Sequence, residues 1–195
     1  SVALLQQART VAKTEANVLL QGENGTGKSL LAQYIHFNSP RKNEPFVHVD
    51  LGALPASLFE SELFGHKKGA FTDAHTDRDG LVAQAEGGTL FLDEIANCSL
   101  QQQQKLLRLL QDKSYQVLGS NETRHCDVRI ISATNAELEQ AVESGDFRQD
   151  LFYRLNTVQL MCLSLRSRPA DISQLSDYYL NLFNRKYQRE LKLDK

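Results

Sequence analysis

The octapeptide Gly22-Glu23-Asn24-Gly25-Thr26-Gly27-Lys28-Ser29 constrains this chain more than any other stretch. It matches G-x-x-x-x-G-K-[ST] and lies between the apolar run Asn17-Val18-Leu19-Leu20-Gln21 and a helical pattern over about residues 28–38. Its glycines let the backbone curl so that successive N–H groups converge on an anion, and the N-terminus of the following helix adds partial positive charge. Such a loop is strung between a strand end and a helix start, so it commits the chain to an α/β fold. Lys28 is placed to reach the β- and γ-phosphates of a nucleotide, and the Ser29 hydroxyl to ligate Mg²⁺. At ordinary residue usage the pattern arises by chance in a chain this long on the order of once in a hundred. A plain glycine turn is the competing reading.

The alternation continues downstream. Val2, Leu5, Ala8, Val11 and Ala12 recur at helical spacing, while Phe46-Val47-His48-Val49, Thr89-Leu90-Phe91-Leu92 and Val128-Arg129-Ile130-Ile131-Ser132-Ala133 read as short strands buried on both faces. Pro55 opens a predicted helix running to about Phe64, since proline suits a first turn. Another helix, over residues 100–111, turns Leu106, Leu107, Leu109 and Leu110 inward. Parallel strands separated by helices predict a three-layer αβα sandwich over residues 1–165. Past Pro169 the stripe Ile172, Leu175, Tyr179, Leu180 and Phe183 predicts the start of a small helical lid over residues 166–195. Two polar, glycine-bearing stretches, 65–87 and 112–127, interrupt the pattern and are the candidate partner surfaces.

A phosphate loop needs a carboxylate on a neighbouring strand, and Leu90-Phe91-Leu92-Asp93-Glu94 supplies one at a strand end. Asp93 is placed to hold Mg²⁺ through its water. Glu94 suits the orientation of an attacking water, which points to hydrolysis rather than transfer to a second substrate. A small-molecule kinase is the rival reading. Charge excludes other classes: 22 Lys+Arg against 24 Asp+Glu leave a formal net charge of −2, too little for a grip on nucleic acid by bulk electrostatics. The 3 cysteines, Cys98, Cys126 and Cys162, form no C-x-x-C pair and predict a reduced cytoplasmic compartment. Apolar runs such as Leu160-Met161-Cys162-Leu163 fall far short of the roughly 20 residues that cross a bilayer, so no membrane partner is expected. His36, His48, His66, His75 and His125 lack metal spacing and read as packing or surface residues.

Four blocks then make the chain recognisable. Glu62-Leu63-Phe64-Gly65-His66-Lys67-Lys68-Gly69-Ala70-Phe71-Thr72-Asp73-Ala74 is followed by Gly87-Gly88-Thr89-Leu90-Phe91-Leu92-Asp93-Glu94, by Asp127-Val128-Arg129-Ile130-Ile131-Ser132-Ala133-Thr134-Asn135, and by Gly145-Asp146-Phe147-Arg148-Gln149-Asp150-Leu151-Phe152-Tyr153-Arg154-Leu155-Asn156. In this order they resemble the central AAA+ ATPase domain of bacterial enhancer-binding proteins, the activators of sigma-54 RNA polymerase, over roughly residues 2–185. The resemblance implies ATP and Mg²⁺ as cofactors and a homo-oligomeric ring, a hexamer when active. It implies sigma-54 RNA polymerase as partner, and DNA contact only through a domain outside this chain. It makes Gly69, Ala70, Phe71, Thr72, Asp73 and Ala74 a surface tongue that grips sigma-54. It makes Thr134 and Asn135 the first sensor of the γ-phosphate, although both also suit a helix N-cap. Arg148 and Arg154 become arginine fingers acting on a neighbouring copy's nucleotide, a role worth about 10³–10⁵ in rate in related chemistry. Without the family, either arginine reads as half of a surface ion pair.

Three departures bear on function. Asp73 stands where the family has Gly, adding charge and a less ready φ > 0 at the tongue's tip. Asp50 stands where the family usually has an Asn that hydrogen-bonds the hydrolytic Glu, and two facing carboxylates would repel. Weak or differently regulated hydrolysis is the expectation. Met161-Cys162-Leu163-Ser164-Leu165-Arg166 lacks the family's paired prolines, so the hinge into the lid is expected to differ. Asp50 and Asp73 together support an alternative: a nucleotide-responsive regulatory module that no longer engages sigma-54.

Overall fold

In the computed structural model, which describes residues 2–192, the apolar runs become the strands of one parallel sheet. The elements are α1 (Val2–Ala12), β1 (Val18–Gln21), α2 (Lys28–Phe37), β2 (Phe46–Asp50), α3 (Phe59–Phe64), β3 (Gly65–His66), β4 (Arg78–Asp79), α4 (Leu81–Gln84), β5 (Thr89–Asp93), α5 (Leu100–Asp112), β6 (Ser114–Gln116), β7 (Thr123–His125), β8 (Arg129–Thr134), α6 (Leu138–Glu143), α7 (Gln149–Leu155), β9 (Val158–Met161) and α8 (Pro169–Tyr187). Five strands pair in the order β2-β5-β8-β1-β9, all parallel. β1 and β8 are buried along their whole length, as strands flanked on both sides and covered on both faces must be.

Side chains alternate between the faces and build two cores. Leu19, Leu90, Leu92 and Ile130 pack with Leu63, Leu106, Leu109 and Leu151 on one side, while Leu20, Phe91, Ile131 and Ala133 pack with Ala8, Leu31, Ala32 and Ile35 on the other. Helices on both faces of a parallel sheet are the predicted αβα sandwich. The helix over residues 100–111 is α5. It starts at a capping box in which the Ser99 hydroxyl accepts from the Gln102 N–H and the Gln102 side chain accepts from the Ser99 N–H.

Four expectations change. β2, read as buried on both faces, is an edge strand in which Val49 alone is buried. The helix predicted from Pro55 begins at Phe59; Pro55 opens only a turn closed by the Leu58 N–H on its carbonyl at 2.9 Å. The sheet has a fifth strand, β9, in which half-buried Val158 and buried Leu160 alternate with exposed Gln159 and Met161, the pattern of an edge strand, which does not read as a buried run. The stripe on α8 is present, but no residue of the helix is buried, and Tyr179, Phe183 and Tyr187 stack on one another along its surface.

The two interrupting stretches fold against each other. Residues 65–79 carry the short β3–β4 pair, and β6–β7 form a second antiparallel pair. The Lys67 N–H donates to the Leu118 carbonyl at 2.9 Å and the Leu118 N–H to the Gly65 carbonyl at 3.0 Å, so the second stretch braces the first. Among the described residues no helix is long and apolar enough to cross a membrane.

Candidate functional site

Parallel strands end together, so the loops after β1, β2, β5 and β8 meet at one edge of the sheet, where α/β folds bind ligands. Gly27, at φ 96°, turns the chain from β1 into α2. Lys28 follows at 6% exposure, its ammonium donating to the Gly22 carbonyl at 2.8 Å and the Glu23 carbonyl at 3.3 Å. The Ser29 hydroxyl donates to Asp93 Oδ2 at 3.2 Å, the other Asp93 oxygen accepts the Glu94 N–H at 3.0 Å, and Glu94 Oε1 lies 4.0 Å from Lys28 Nζ. The sequence-predicted quartet Lys28, Ser29, Asp93 and Glu94 is therefore one cluster. A hydroxyl facing a carboxylate is a hard-oxygen donor pair of the kind Mg²⁺ takes, so these residues fit the implied metal.

Glu94 sits in the left-handed region, at φ 55° and ψ 47°. For a non-glycine residue this costs of order 1–3 kcal/mol and persists where surrounding structure fixes it, often at functional sites. The turn brings the Glu94 side chain beside Lys28.

His48, read from sequence as a packing or surface residue, belongs to this site. On β2 it stands in register with Phe91, its ring centroid 4.8 Å from that ring and its Nε2 3.4 Å from Asp93 Oδ2. Spacing could not reveal this, because the contact depends on β2 pairing with β5.

Asp50, the last residue of β2, stands in register with Asp93. Its Oδ1 accepts the N–H groups of Gly52 at 2.9 Å and Ala53 at 3.1 Å, and among the described residues no hydrogen bond joins it to Glu94. The expected opposition of two carboxylates is relieved because Asp50 turns onto its own loop. Thr134 is fully buried at the end of β8, with Oγ1 accepting the Ala136 N–H at 3.0 Å and its carbonyl accepting the Gly22 N–H at 3.1 Å. It caps a turn rather than a helix, and it ties the sensor position to the phosphate loop. Asn135 is exposed beside it.

Arg148 and Arg154 lie at the two ends of α7. Arg148 is held by Asp150 through two hydrogen bonds, at 3.0 and 2.7 Å, which keep the Asp150 carboxyl below its ordinary range. The ion pair that residue type alone suggests is thus formed. Arg154 is exposed.

In the tongue, the Gly69 N–H donates to the Ala74 carbonyl at 2.9 Å and the Ala74 N–H to the Phe71 carbonyl at 3.0 Å, closing a tight loop with Ala74 buried and Phe71, Thr72 and Asp73 exposed. Phe71 keeps one edge on the His66 ring, 5.0 Å between centroids. The positive φ the turn requires falls at Gly69, at 82°, and not at Asp73, so the carboxylate at the tip adds charge without backbone strain.

Sequence reading missed the wall beside the phosphate loop. A cleft of about 520 Å³ opens between α1, α2 and α8, lined by Leu4, Leu30, Tyr34, Leu175 and Tyr179 together with Thr26 and Arg168. Its apolar lining and size suit a nucleotide base. Only folding could show it, because its residues come from three helices distant in the chain.

Comparison with known proteins identifies the family. The sigma-54 interaction domain family matches residues 1–161. The regulatory protein AtoC of Escherichia coli K12 is 50% identical over 181 residues, 93% of this chain and 39% of AtoC. A Nif-specific regulatory protein of Azotobacter vinelandii is 50% identical over 188 residues, 96% of this chain and 36% of the relative. The chain thus spans well under half the length of these relatives. Among solved structures, NtrX from Brucella abortus in complex with ADP superposes with a TM-score of 0.85 at 35% identity, covering 94% of this chain and 40% of NtrX.

Proposed function

The chain belongs to the sigma-54 interaction domain family and has its AAA+ fold, and on that premise we propose that it binds Mg-ATP and hydrolyses it, as a ring of copies, to remodel sigma-54 RNA polymerase. The convergence of Lys28, Ser29, Asp93 and Glu94 within hydrogen-bonding and ion-pairing distance carries the reading. The base enters the cleft beside Tyr34 and Tyr179, and Lys28 exchanges its two loop carbonyls for β- and γ-phosphate oxygens. Ser29 and Asp93 would hold Mg²⁺, which when bound neutralises charge on the phosphate oxygens. Glu94 orients the attacking water and accepts its proton. Thr134 and Asn135 report the γ-phosphate to the rest of the subunit.

Residues 1–165 form the nucleotide-binding unit in this reading, and residues 166–195 open the lid. Arg148 leaves Asp150 and, with Arg154, reaches the nucleotide of the adjacent copy in a hexamer, so activity rises with protein concentration. The tongue, Gly69 to Ala74, contacts sigma-54 through Phe71 and Thr72. DNA contact belongs to a domain outside this chain, and the setting is the bacterial cytoplasm.

The exposed Asp73 carboxylate favours a second reading, a module that responds to nucleotide without engaging sigma-54. Capture of sigma-54 in Mg-ADP with a metal-fluoride phosphate mimic separates the two, with parent, Phe71→Ala and Asp73→Gly run side by side. Capture by the parent that is lost in Phe71→Ala supports the remodeller. Capture by Asp73→Gly alone supports the module. Absence of Mg-dependent nucleotide binding by the parent refutes both.

A further inference from the structure

The segment between β9 and α8, whose missing prolines set it apart in the sequence, wraps the outside of the phosphate loop. The Cys162 N–H donates to the Gln21 carbonyl at 2.7 Å, and a Cβ on Gly22 would run into the Cys162 carbonyl. Further on, Arg166 pairs with Glu23. Then Arg168 Nη2 donates to the Thr26 carbonyl at 3.0 Å, Nη1 lies 3.3 Å from Asp171 Oδ2, and the buried Nε has no hydrogen-bond partner among the described residues.

A phosphate loop can turn its N–H groups inward only if its carbonyls face outward, and an outward carbonyl shielded from water needs a donor. Arg168 supplies that donor at Thr26. Arg168 is the N-cap of α8 and its Nη1 also reaches Asp171 in the first turn, so its guanidinium is anchored to the start of the lid helix. We propose that Arg168 is a positioning residue: it holds the Thr26–Gly27 peptide by its carbonyl so that the N–H groups of Gly27 and Lys28 face the phosphates, and by the same bond it links nucleotide occupancy to the first turn of α8. The inference rests on the nucleotide-binding reading. Linkage between the two sites is reciprocal, so what Arg168 does for nucleotide affinity, nucleotide does for the order of α8.

Binding of a fluorescent ADP with Mg²⁺ to the whole chain tests it, alongside hydrogen exchange. Arg168→Met is expected to bind about tenfold more weakly, the effect of losing one hydrogen bond from a charged donor. Arg168→Lys, which can still reach the carbonyl, recovers part of the loss. Arg166→Ala, whose pair with Glu23 is exposed, stays within twofold. In the parent, ADP slows amide exchange at residues 170–173. Affinity of Arg168→Met within twofold of the parent overturns the assignment, as does an equal loss in Arg166→Ala, which would trace the effect to charge alone. Should Arg168→Met fail to fold, exchange in the parent decides, and no slowing at residues 170–173 overturns the proposal. A parent that binds no ADP removes the nucleotide reading itself.

Discussion

Two glycine substitutions isolate the packing of one interrupting stretch on the other. Gly119 has φ +79°, and a Cβ there would lie 2.7 Å from the Ala70 Cβ; Gly145 has φ +82° with nothing within 4 Å. Forcing alanine into the left-handed region costs about 1–2 kcal/mol, offset in part by about 0.4–1 kcal/mol from a stiffer unfolded chain. Gly145→Ala should therefore destabilise by about 1 kcal/mol, or about 2–4 °C in Tm for a domain of this size. Gly119→Ala adds a methyl collision. Because Ala70 sits on a partly exposed loop that can yield, the low end of the overpacking range applies, about 1 kcal/mol more. The sum, about 2 kcal/mol, corresponds to about 4–8 °C. Thermal unfolding by circular dichroism reads both shifts, and ADP affinity should match the parent in Gly119→Ala, since the clash is on the tongue. Displacing Ala70 also moves Phe71, so sigma-54 capture should fall. Equal Tm shifts in the two variants, with capture unchanged, would show that residues 112–127 do not brace the tongue and that the reasoning is wrong.

Asp50→Asn keeps the oxygen that accepts from Gly52 and Ala53 and restores the amide donor by which the family's Asn hydrogen-bonds the hydrolytic Glu, so steady-state turnover should rise severalfold with Tm within about 1 °C of the parent; unchanged turnover would show that residue 50 does not weaken hydrolysis. Burial pushes the Cys98 thiol up to about 12 and, as the largest cause, the Cys126 thiol up to about 11, so neither forms thiolate near pH 8. A disulfide reagent should label them only after denaturation, and rapid labelling of the folded chain would refute their burial. His36, buried and hydrogen-bonded to Thr89 at 3.0 Å, has its pKa lowered, chiefly by desolvation. Its unfolded form takes up a proton near pH 6.5 that the folded form resists, so its contribution is complete above that pH and is lost as pH falls toward the folded pKa. Chemical denaturation between pH 7.5 and 5 should show a stability decline that His36→Gln makes shallower, and an unaltered slope would count against the assignment.

The phosphate loop and its acidic partner were legible in the sequence because both are local. A glycine pattern between an apolar run and a helix, and a carboxylate pair closing a strand, each express their chemistry within a few neighbouring residues. The strands β1, β5 and β8 were legible for a related reason, since burial on both faces requires uninterrupted apolar runs; β2, an edge strand in which Val49 alone is buried, was legible because Phe46, Val47 and Val49 still form an apolar run. β9 was not, because an edge strand tolerates the polar Gln159 and so loses that signature. The family blocks fixed the order of the site's parts but not their contacts.

Tertiary structure alone decided how those parts meet. Pairing of β2 with β5 sets His48 beside Asp93, a contact between residues 45 apart with no spacing rule behind it. A turn onto its own backbone, rather than residue type, withdrew Asp50 from Glu94, and the tongue met its need for positive φ at Gly69 instead of Asp73. Arg168 reaches Thr26 across 142 residues because β9 lies against β1 and delivers the following segment to the phosphate loop. Motifs carry chemistry that a short peptide can encode; the partners of each side chain are set by strand order and register, which depend on burying the whole chain at once.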